Sequence, residues 1–106
     1  MAERKAERLL YSREDLGDGT VLELRLWQVP EPVLPSGDRF KYALFYGCPG
    51  VRLVLFDNER GKGDHTHIRE VERSYTFTTP EALVADFLAA VRTVQAEDGE
   101  TNNGNG

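Results

Sequence analysis

His65 and His67 are the only histidines in the chain. They lie two residues apart in the stretch Phe56-Asp57-Asn58-Glu59-Arg60-Gly61-Lys62-Gly63-Asp64-His65-Thr66-His67-Ile68. Side chains along a strand alternate with period two, so His-x-His projects both imidazoles from one face. Imidazoles titrate near neutrality and can serve as a paired base and acid. Gly61 and Gly63 flank Lys62 and free the backbone to reach positive φ and approach a ligand closely. Lys62 can stabilise negative charge developing on a phosphate, helped by backbone N–H groups of the same loop. Asp57 or Asp64 can fix a histidine tautomer. Arg60 and Arg69 flank the site and can hold neighbouring phosphates, and Lys41 and Asn58 join them as candidate substrate contacts.

The chemistry these residue types suit best is cofactor-free acid–base cleavage of a phosphodiester, as in a small ribonuclease. A divalent ion held by His65, His67 and Asp57 or Asp64 is the lesser alternative, because no cysteine and no third histidine stands nearby. The plainest reading makes Gly-Lys-Gly-Asp a solvated turn, His-x-His a pair of surface strand residues, and Asp57-Asn58 a strand terminator. The loop lacks the G-x-x-x-x-G-K-[ST] spacing of a triphosphate site. Cys48 falls in a turn without a basic neighbour, so it is not read as a nucleophile.

The elements around this stretch follow from pattern. Residues 6–15 lead through Gly17-Asp18-Gly19 as a strand into a hairpin. Leu22, Leu24 and Leu26 alternate with Glu23 and Arg25, which predicts a half-buried strand over 20–29. Prolines stiffen the loop over 30–38. Phe40, Tyr42, Leu44 and Tyr46 share one face of a third strand over 39–46, and Pro49-Gly50 suits a turn. Residues 51–57 read as a nearly all-apolar fourth strand. Residues 67–77 read as a fifth, with Val71, Arg73, Tyr75 and Phe77 in phase with the histidines.

Thr79-Pro80-Glu81 marks a helix start. Leu83, Phe87 and Val91 recur at helical spacing, predicting one helix over 80–96. The expected fold is therefore α+β: an antiparallel meander of about five strands, one face covered by a C-terminal helix and the other open. Residues 1–96 form a single domain, and 97–106 a disordered polar tail with nothing to bury.

A chain of 106 residues with 40% apolar composition builds one modest core. No apolar run nears the ~20 residues of a membrane helix. The charged N-terminus is unlike a signal peptide, and a single cysteine fits a reducing cytoplasm. A net charge of −5, part of it from Glu97, Asp98 and Glu100, argues against wide non-specific coating of nucleic acid and leaves room for a local phosphate site. Trp27, Tyr42, Tyr46 and Tyr75 read first as core or rim packing. Arg39 and Lys41 beside them keep a base-stacking role open.

The successive runs Arg8-Leu9-Leu10, Asp18-Gly19, Leu22-Glu23-Leu24-Arg25-Leu26-Trp27 and Phe40-Lys41-Tyr42, then the Asp57–His67 stretch, Tyr75-Thr76-Phe77 and Asp86-Phe87, resemble the TumE family of bacterial toxin–antitoxin toxins over roughly residues 6–92. The resemblance implies a small cytoplasmic toxin that a helix-turn-helix antitoxin binds and silences. It carries over His65, His67 and the acid–amide pair Asp57-Asn58. Where the family often has a histidine before the Phe-Lys-Tyr strand, this chain has Asp38. Toxins of such pairs often cut RNA, so RNA is the implied substrate by analogy. A non-catalytic module that blocks a target, or co-represses its operon with the antitoxin, is the alternative. Homodimerisation is left open.

Overall fold

In the computed structural model, residues 5–34, 39–59 and 62–104 are described. Alternation over Val21–Gln28 gives the half-buried strand the pattern predicts: Leu24 and Leu26 are buried while Arg25 and Trp27 are exposed. Six strands follow chain order in one antiparallel sheet: β1 (Glu7–Asp15), β2 (Val21–Gln28), β3 (Phe40–Cys48), β4 (Val51–Glu59), β5 (Gly63–Ile68) and β6 (Val71–Ser74). Helix α1 (Pro80–Gly104) packs against β3 and β4. The α+β meander with one helix-covered face is thus present, with one strand more than expected.

The additional strand corrects the reading of 67–77 as a single strand. The chain turns at Arg69-Glu70, and Ile68 pairs with Val71. Arg69 takes a φ of 55°, a left-handed conformation that usually calls for glycine or asparagine. The turn also reverses the phase. Glu72 and Ser74, not Val71 and Arg73, lie across from His67 and His65. β4 likewise continues to Glu59, so Asp57 and Asn58 lie inside a strand and do not terminate it.

Tyr42, Leu44 and Tyr46 of β3 and Val54 and Phe56 of β4 meet Leu83, Phe87, Val91 and Val94 of α1 in one buried cluster. Phe56 and Phe87 meet edge to face at 5.6 Å. Gly47 is buried where β4 bulges against β3, and a Cβ there would collide with the Val51 carbonyl. Thr79 caps the helix as expected: its Oγ1 accepts from the Ala82 N–H at 3.1 Å.

The helix continues past residue 96 to Gly104. No proline interrupts it, and Arg69 reaches across from the β5–β6 turn to Asp98 at 2.8 Å and Glu97 at 3.6 Å. These carboxylates hold the Arg69 guanidinium above its ordinary range, Asp98 contributing most through its hydrogen bond.

Asn58 is the polar residue deepest in the core, only 1% exposed. Backbone pairing of β3 with β4 ends at Ala43–Asp57. Beyond it the Asn58 side chain takes over: Oδ1 accepts from the Tyr42 N–H at 2.9 Å, and Nδ2 donates to the Phe40 carbonyl at 2.5 Å. Asn58→Ala leaves both backbone groups unsatisfied in a buried place, and is expected to destabilise the fold by about 2–4 kcal/mol. Chemical denaturation against wild type measures this, and a loss under about 1 kcal/mol would show that the amide is dispensable.

Candidate functional site

The pleat divides the candidate residues between two faces. On β4, Val54, Phe56 and Asn58 point toward the helix, so Leu55 and Asp57 point away from it. On β5, Asp64, Thr66 and Ile68 lie opposite Asn58, Phe56 and Val54 and share the helix face. His65 and His67 lie opposite Asp57 and Leu55 on the open one. The structure therefore brings His65, His67 and Asp57 together and sends Asp64 through to the other side. There Asp64 accepts from the Tyr42 hydroxyl at 2.5 Å. The phenol is pushed far above its ordinary range, first by burial and then by this bond.

His65 is buried although its face is open. Its Nδ1 lies 3.0 Å from the carbonyl of Gly63. Gly63 adopts φ 81°, a conformation a glycine accepts without strain. His65 Nε2 lies 2.7 Å from Asp57 Oδ1. The ring N–H is not aligned on that oxygen, so the contact is a close polar approach and not a directed hydrogen bond. The His67 ring meets that of His65 nearly perpendicularly, with centroids 5.0 Å apart.

The partners of His67 are Arg52, whose Nη2 is 3.3 Å from Nδ1, and Glu72, whose Oε2 is 3.6 Å from Nε2. A guanidinium can only donate, so Nδ1 accepts and the ring proton sits on Nε2, toward Glu72. Arg52 and Glu72 were missed in the sequence. Arg52 joins this face because β3 and β4 shift register between Tyr46 and Gly47, pairing Gly47 with Arg52. Glu72 joins it through the unsignalled Arg69-Glu70 turn.

The other candidates are dispersed. Lys62 is exposed in the β4–β5 turn at the end of β5 nearest His65. Arg60 and Gly61 lie outside the described residues, as does Asp38. Arg69 is held by Asp98 and Glu97 and does not flank the histidines. Asn58 is occupied by the β3 backbone. Lys41 is exposed on the open face, opposite Trp27.

Among the described residues, His65, His67 and Glu72 each offer one ligand atom, and these atoms lie within 4.8 Å of one another. Two imidazoles and a carboxylate suit a divalent transition ion. The carboxylate of this group is Glu72, whereas Asp57 stands against His65.

Asp57→Ala is expected to release the His65 ring. Imidazole nitrogen resonances of His65 should shift well beyond those of His67, with a stability loss of about 1–2 kcal/mol for a partly buried pair. Unmoved His65 resonances would show that Asp57 does not hold the ring.

A family model described as Toxin TumE matches residues 3–95. No curated protein and no solved structure matches the chain.

Proposed function

The chain belongs to the TumE toxin family, and on that basis we propose that it is the toxin of a toxin–antitoxin pair, that it cleaves cellular RNA on its open face, and that a helix-turn-helix antitoxin silences it in the cytoplasm. The observation that carries the cleavage reading is the pair of imidazoles 5.0 Å apart, each with a different hydrogen-bonding environment. Both neighbours of His65, the Gly63 carbonyl and the Asp57 carboxylate, are acceptors, which suits a ring bearing two protons. His67 faces a donor at Nδ1, which suits a neutral ring. One proton donor beside one proton acceptor is what transesterification of RNA requires.

In this scheme His67 removes the proton of a ribose 2′-hydroxyl, and the freed oxygen attacks the adjacent phosphorus. The bond from phosphorus to the 5′ oxygen breaks, and that oxygen takes its proton from His65. The products are a cyclic 2′,3′-phosphate and a free 5′-hydroxyl. Asp57 fixes the orientation of the His65 ring, while Arg52 and Lys62 bear the phosphate charge. A phosphate drawing Arg52 to itself uncovers the accepting nitrogen of His67.

A second reading, a non-catalytic module that blocks a target or represses the operon with its antitoxin, is favoured by one fact: all four imidazole nitrogens already have neighbours. Expression without the partner gene separates the two. Cleavage predicts that His65→Ala and His67→Ala each lower the rate by about 10²–10⁴-fold and abolish growth arrest, with the circular dichroism spectrum unchanged. It also predicts RNA fragments ending in cyclic phosphate. Undiminished toxicity of both variants would sink the cleavage reading and leave the binding one.

A further inference from the structure

The histidine site does not use the β1–β3 end of the open face. Tyr11, Arg25, Ala43, Asp57, His65 and Ser74 lie in register across all six strands. Beside this row, Arg8 pairs with Trp27 and Trp27 with Lys41. Trp27, Arg25, Lys41 and Ala43 line a cleft of about 330 Å³. Trp27 is 36% exposed and Tyr11 47%. Guanidinium carbons of Arg8 and Arg25 sit 5.6 Å and 6.0 Å from the centroid of the Tyr11 ring. Cationic groups and exposed aromatic faces therefore adjoin at one end of the face, and the imidazoles lie at the other.

The charge is placed against the trend of the chain. The protein carries −5 overall, yet Arg8, Arg13, Arg25, Lys41 and Arg52 all lie on this face. Glu23 there is shared by Arg13 at 3.5 Å and Arg25 at 3.2 Å. The acids Glu23, Asp57 and Glu72 share the face with these five cations, while Glu81, Asp86, Glu97 and Asp98 are exposed on α1. In the register row, Ala43 is the small residue between Arg25 and Asp57, so along that row no long side chain stands between the two.

We infer that a single strand of RNA docks in the Trp27 cleft and along this row, one base stacked on Trp27 and its phosphates on Arg25 and Lys41, so that a following linkage reaches His65 and His67. This rests on the cleavage reading for its substrate and adds the surface that selects unpaired strands. A sheet with exposed aromatics can stack only bases that are free of a partner. A duplex presents its phosphates and hides those ring faces.

Trp27 is the one tryptophan in the sequence, so its emission reports on the cleft directly. The full chain carrying His67→Ala, to prevent turnover, is titrated with a fluorescein-labelled ten-nucleotide RNA and with its duplex. Tryptophan quenching and dye anisotropy are followed. Docking predicts quenching by the single strand, at least ~10-fold weaker binding of the duplex, and a log–log salt slope of about −1.5 to −2. Trp27→Ala and Lys41→Ala, read by anisotropy, should each weaken binding by about tenfold with folding unchanged. Equal affinity for duplex, no quenching, or full affinity in Trp27→Ala would overturn the inference. The two proposals also fail separately. Trp27-dependent binding of RNA that the wild type leaves intact supports docking and ends cleavage. Cleavage at an undiminished rate by Trp27→Ala ends docking alone.

Discussion

The buried amide of Asn58 carries the sheet past the point where β3 and β4 stop pairing through their backbones. Its carbonyl oxygen holds the Tyr42 N–H and its nitrogen holds the Phe40 carbonyl. An amide is the side chain that both accepts and donates, which makes it suited to replacing one rung of a ladder. Because Asn58 is fixed toward the helix, its neighbour Asp57 must leave through the opposite face, where it meets His65. The same bonds hold Phe40 and Tyr42 inward, so Lys41 between them faces out. One core contact thus sets the direction of groups on both sides of the sheet.

The two faces divide the work of the molecule. The helix face carries the aromatic and aliphatic core and the Tyr42–Asp64 bond, and it supplies stability. The other face has no covering element among the described residues, and it carries the imidazoles, Arg52 and the Trp27 cleft. Asp64 belongs to the first group and Asp57 to the second, although both lie in the same short stretch. Alternation, not distance along the chain, assigns them.

Much of this was legible from periodicity. The alternating leucines of β2, the aromatic face of β3, the Thr79 cap and the apolar stripe of α1 are local signals, and each element is where its signal places it. What was not legible depended on turns with no signature. Arg69-Glu70 contains neither glycine nor asparagine, so the β5–β6 hairpin is hidden and nothing in the sequence places Glu72 beside His67. The register shift at Gly47, which brings Arg52 to His67, arises from packing between strands and leaves no mark in either strand alone. From sequence Asn58 reads as a substrate contact or, with Asp57, as a strand terminator; only burial shows it to be a strand pin. The helix runs beyond residue 96 although its polar composition offers nothing to bury, and Arg69 on a distant hairpin reaches it there.

That hairpin corner shows how local discomfort and long-range attachment can balance. A left-handed backbone costs a residue with a side chain roughly 1–2 kcal/mol, a cost glycine would not bear. Glycine would also give up the guanidinium that moors the last turns of α1, an exposed pair worth about 0–1 kcal/mol. The two effects are of similar size and opposite sign. The corner is therefore nearly indifferent to this exchange in overall stability while controlling where the distal helix rests: evolution can alter the mooring there without endangering the sheet.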